Sequence, residues 1–141
     1  MSHNDVIARA DIEDIVRRFY EAVLDDPIIG FIFTDVAQIE LEHHLPIIVN
    51  FWVDSLFGVQ GESAGQQYTG NPLQKHLDIH RKLPLRPGHF TRWLFLFNNA
   101  VDAKHHGPQA NAMKAKAELV GKSISAALVK SKRSDMKLTL W

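Results

Sequence analysis

The 141-residue chain contains no cysteine. That absence excludes disulfides, iron–sulfur clusters, thiolate-bound metals and a cysteine nucleophile together. Excess charge is absent too: 16 Lys and Arg balance 16 Asp and Glu. A chain-wide electrostatic footprint for nucleic acid or anionic lipid is therefore missing. No apolar run approaches the ~18 residues of a membrane span. Residues Met1 to Asp14 interleave His3, Asp5, Arg9, Asp11 and Glu13 with short apolar pieces, which is not the pattern of a signal peptide. The expected location is the cytoplasm. There is no GxGxxG or Walker loop for phosphate and no GxSxG elbow for a serine nucleophile. Strand-like alternation is also lacking.

What the chain does have is apolar content of 45%, enough for a single domain with a real core, and eight histidines. Apolar spacing predicts helices throughout. Ile12, Ile15, Val16, Phe19 and Val23 form one stripe, with Asp11 as the expected N-cap. Asp25-Asp26-Pro27 and Gly30 break it, the two carboxylates reading as capping or solvated groups. Leu45, Ile48, Val49, Trp52 and Leu56 form a second stripe, with Pro46 in its first turn and Gly58 at its end. Glycines 58, 61, 65 and 70 mark a long surface loop. Asn71-Pro72 opens a short helix with Leu73, His76 and Leu77. Phe90, Trp93, Leu94, Phe97 and Val101 make the third stripe. A last helix runs from Gly107-Pro108 to about Val129, with Met113, Ala117, Val120, Ile124 and Leu128 inward. The expected fold class is all-α: an N-terminal extension over 1–10, a domain over 11–129, and a disordered tail over 130–141.

The histidines divide by position. His76 sits among Leu73, Lys75 and Leu77, and His44 leads into the second stripe. His43 lies roughly 100° around the helix from His44, so only one of them faces inward. Two inward histidines on separate helices can flank an iron porphyrin. His76-x-x-x-His80 instead offers a zinc or other non-haem metal pair, without the Glu that zincins place after the first histidine. Glu40-x-x-His43 is the only pair with di-iron spacing. A cofactor-free helical interaction module is the third reading. His105-His106 stand where they can cap a helix end, and His89 and His3 read as solvated.

The ordered segments Phe19-Tyr20-Glu21-x-Val23, Gly30-x-Ile32-Phe33, His44 ahead of Phe51-Trp52, Tyr68-x-Gly70-x-Pro72-Leu73-x-Lys75-His76-Leu77, and His89-Phe90-x-x-Trp93-Leu94-x-Leu96-Phe97 resemble a truncated haemoglobin of the third group, over about residues 11–129. Phe31 stands where that family is expected to carry proline. The resemblance implies a two-over-two helical sandwich around haem b, with His76 as the iron ligand. It implies Tyr20 and Trp93 as hydrogen-bond donors on the open side, His44 at the gate and Phe33 against the porphyrin. Lys75, Arg81, Lys82 and Arg86 are the cations available to the propionates. The implied ligands are the diatomic gases O2, NO and CO. The same pocket is compatible with redox chemistry on nitric oxide or peroxide, which requires an electron donor from outside the chain.

Overall fold

Each of the three leading stripes becomes the buried face of a helix. The computed structural model describes residues 4–36, 40–58 and 85–139, which form α1 (Arg9–Leu24), a π-helical turn (Ile32–Val36), α2 (Leu41–Phe57), α3 (Pro87–Asp102) and α4 (Pro108–Thr139). The short helix expected around His76, and the glycine loop before it, lie outside the described residues. All five apolar residues of the α1 stripe are buried. Helix α1 packs on α2 and on α3, while α4 packs on α3 and on α2. Two helix pairs thus lie face to face. The core between them takes Phe19, Val49, Trp52, Phe97, Val101 and Met113.

Helix boundaries differ from expectation at three places, each for a local reason. Helix α1 starts at Arg9, ahead of the expected N-cap, because the Asp11 carboxylate turns back to accept the N–H groups of Ile7 and Ala8. Pro46 stands inside α2 and not in its first turn, since Glu40 O accepts from His43 and His44 and starts the helix earlier. Pro46 has no N–H to return to the Glu42 carbonyl. Helix α4 continues to Thr139, past the end expected near Val129. From Lys122 to Thr139 it meets neither glycine nor proline, and Ala, Leu, Lys and Met favour propagation.

The segment before α1 is built into the fold. Val6 is fully buried, and the Asp5 carboxylate caps α4 by accepting from Gln109 N–H (3.0 Å) and Ala110 N–H (2.8 Å). Gly107 serves this contact: its φ is +137°, and a Cβ there would sit 2.6 Å from Asp5 Cγ. Burial pushes the Asp5 carboxyl up, but the N–H groups of Gln109, Ala110 and Val6 outweigh it and hold the group below its ordinary value. Asp5→Ala should lower stability by about 1–2 kcal/mol in urea denaturation, the usual size of a lost N-cap. An unchanged midpoint would show the cap to be dispensable.

His105 and His89 are both more engaged than expected. His105 is buried, and its Nδ1 contacts the Asn4 carbonyl at 3.1 Å. That carbonyl can only accept, so Nδ1 carries the proton. His89 Nδ1 accepts the Arg86 N–H at 3.0 Å and so caps α3. Its partial burial, and then the neighbouring Arg86, depress its pKa, keeping that acceptor lone pair free.

Candidate functional site

Tyr20 follows Phe19 on the buried side of α1 and is 5% exposed. Its hydroxyl lies 2.9 Å from His44 Nε2 on α2, and the two rings meet edge to face at 5.2 Å. His43 is exposed. Of the adjacent histidines, it is His44 that turns inward. A buried phenol needs a hydrogen-bond partner, and here His44 meets that need within the protein.

The remaining walls are aromatic. Phe33, on the π-helical turn, reaches Tyr20 at 5.9 Å. Trp93 projects from α3, stacked on Phe97 (5.6 Å, 15°) and edge-on to Phe19 (5.8 Å, 88°). Phe97 continues the stack onto Trp52 at 5.0 Å. Ile48, Phe51, Trp93, Leu94 and Phe33 remain only partly buried against this core. Three helices and the corner after α1 therefore contribute to one aromatic cluster, which carries a phenol, an imidazole and an indole. Among the described residues no group of three or more His, Asp or Glu is arranged to hold a metal ion.

Phe33 depends on a tightly folded corner. Gly30 N–H donates to the Asp26 carbonyl, and a Cβ on Gly30 would stand 3.0 Å from the carbonyl oxygens of Val23 and Leu24. Glycine lets the backbone double back that closely. Phe31 faces outward and is 42% exposed.

Of the other candidates, Arg86 is exposed at the start of α3, while Lys75, His76, His80, Arg81 and Lys82 lie outside the described residues. Sequence reasoning missed the Asp26–Arg92 pair. The Asp26 side chain is 2% exposed, its Oδ1 accepting from Arg92 Nε (2.9 Å) and Nη2 (2.6 Å). Arg92 beside Trp93, flanking an apolar stripe, was the available signal: a cation there needs an anion.

Two helix pairs among the described residues, packed around an aromatic cluster that carries a phenol, an imidazole and an indole, have the architecture of a truncated globin. The chain belongs to the bacterial-like globin family, whose model matches residues 3–125. It is 29% identical over 129 residues to the group 3 truncated haemoglobin of Campylobacter jejuni, covering 89% of this chain and 94% of that one. The crystal structure of the group III truncated haemoglobin from Campylobacter jejuni superposes with a TM-score of 0.76 at 27% identity, covering 90% of this chain and 95% of that chain. Globin membership implies haem binding. The residues described fit such a group: Phe33, Ile48, Phe51 and Trp93 are only partly buried against the core, leaving apolar, largely aromatic surface that suits a macrocycle, and Tyr20 and His44 lie beside it. No described helix is long and apolar enough to cross a membrane.

Proposed function

We propose that the chain binds haem b and captures a diatomic gas on it, with His76 as the iron ligand and Tyr20, His44 and Trp93 facing the gas. The observation that carries this reading is the 2.9 Å Tyr20–His44 contact at the edge of an aromatic cluster. When bound, haem supplies an iron atom with an open position for a small ligand. Without cysteine the chain cannot form thioether links, so the haem is held non-covalently, which favours haem b. Phe33 packs against the ring, and Lys75, Arg81, Lys82 and Arg86 are the cations for its propionates.

The Tyr20–His44 pair sets the polarity of the pocket. When His44 Nε2 accepts, the phenolic hydrogen points away from the guest. When Nε2 carries hydrogen, it donates to Tyr20 Oη and frees the Tyr20 O–H to donate to the gas. The two bonds then reinforce each other in a water-poor pocket. Trp93 Nε1–H is a donor only and adds a second bond. Strong donors slow escape, which suits capture, sensing or redox turnover of nitric oxide or peroxide better than delivery. Turnover would draw on an external electron donor. A charge-balanced, cysteine-free chain suits the cytoplasm.

Tyr20→Phe and Trp93→Phe should each speed ligand dissociation about 2–13-fold, since each deletes one net hydrogen bond of about 0.5–1.5 kcal/mol. Stopped-flow displacement measures this, and unchanged rates in both variants would reduce the pair to core packing. His44 can ligate iron itself only by releasing Tyr20, near a helix turn that Pro46 leaves one bond short. His44→Leu should therefore alter carbon monoxide association and turn any low-spin ferric signal high-spin, with His43→Leu as the silent control.

A further inference from the structure

We propose that Asp26 and Arg92 are positioning residues for Trp93: their ion pair locks α3 to the corner that carries Phe33 beside Tyr20, and so sets where the indole stands in the aromatic cluster. The proposal rests on the reading of that cluster given above. Asp26 divides its two oxygens between two tasks. Oδ2 accepts the N–H groups of Ile28 (3.0 Å) and Ile29 (2.9 Å) and shapes the corner. Oδ1 takes both Arg92 nitrogens, which fixes the plane of the guanidinium. On its other side the guanidinium lies 5.1 Å from the centroid of the Phe95 ring. Arg92 is thus gripped by a buried carboxylate and by an aromatic face one turn further along α3. Trp93 is the next residue. Its own contacts, to Phe97 and Phe19, are ring contacts, which tolerate sliding more readily than a charged fork does. From the corner, the same Asp26 connects through Gly30 to Phe33 and Tyr20. The corner that bears Phe33 and the helix that bears Trp93 therefore share one polar hinge pin.

The test uses the full chain labelled with 5-fluorotryptophan, and Trp93→Phe assigns the Trp93 resonance. Arg92→Lys keeps the charge but loses the fork, and Arg92→Met loses both. In the fluorine spectrum of the chain as purified, the Trp93 signal should shift by more than its linewidth or split in both variants, while the Trp52 signal stays in place. In the carbon monoxide form, Arg92→Met should change ligand dissociation about two- to tenfold, and the change should vanish in the Trp93→Phe background. A Trp93 resonance unmoved in Arg92→Lys, which preserves the buried charge pair should Arg92→Met fail to fold, would overturn the proposal. So would Trp52 and Trp93 signals moving together, or a rate change that persists without the indole, since either marks general loosening. If Trp93→Phe alone leaves dissociation unchanged, it is the donor role of Trp93 that fails, and the fluorine spectrum still decides the positioning.

Discussion

Replacing His76 with alanine should give a chain that keeps its helices but loses its haem. A cysteine-free chain has only non-covalent means of holding a porphyrin, and the bond from a neutral imidazole to iron is the strongest directional one available. Removing a mere supporting partner around a metal ligand typically costs about 10–100-fold in affinity, so removing the ligand itself should exceed that range. The helical stripes of α1 to α4 do not include residue 76, so far-UV circular dichroism should change little. The measurement is the Soret band after reconstitution and gel filtration. His80→Ala should leave that band intact, whereas a zinc site on His76 and His80 would make the two variants equivalent and the protein colourless. An unchanged Soret band in His76→Ala would move the iron ligand to another residue.

Asp26→Ala should be the most damaging surface-distant change of a polar residue, at about 2–3 kcal/mol. It removes the cap on Ile28 and Ile29 and leaves Arg92 without its carboxylate. The 31% exposure of the Arg92 side chain lets water reach the orphaned cation, so the loss stays below that of a fully buried pair. The hydrogen bond from Arg92 holds the Asp26 carboxyl below its ordinary range; burial opposes it, and the Ile29 and Ile28 amides add to it. A depressed carboxylate stabilises the fold wherever the unfolded chain is also ionised, above about pH 4. That contribution disappears as pH falls through the folded-state value. Asp26→Asn should therefore be less stable than the parent at pH 7, and the difference should narrow below about pH 4. Thermal unfolding across pH 2.5–7 would settle it, and a constant gap would place the stabilisation in packing instead.

The helices were legible because their signal is local and repeated. The spacing of Ile12, Ile15, Val16, Phe19 and Val23 needs only a 3.6-residue period to be read, and all five are buried. What escaped was long-range. Asp26 looked like a turn carboxylate because its partner Arg92 is far away in the chain. Asp11 is a separate, local case: it does cap α1, but from the third helical position through the Ile7 and Ala8 amides, and an aspartate near a helix start does not itself say which position it takes. The choice between His43 and His44 turned on the rotation of α2 about its axis, which Leu45, Val49 and Trp52 set by entering the core. Tyr20 and His44 were each singled out, yet their direct contact was not foreseen, because an inward phenol was assigned a guest as its acceptor. The extension of α4 was missed because charged residues after Val129 resemble a solvated tail, although charge alone does not stop a helix.

The cap that Asp5 places on α4 has a consequence for the order of assembly during synthesis. Asp5 is synthesised long before Gln109 and Ala110, so the carboxylate must wait for nearly the whole domain before it can act. Without Asp5 in place the first turn of α4 has two amides, those of Gln109 and Ala110, left uncapped. The segment around Asp5 and Val6 therefore reaches its native hydrogen bonds only after the first turn of α4 has been made.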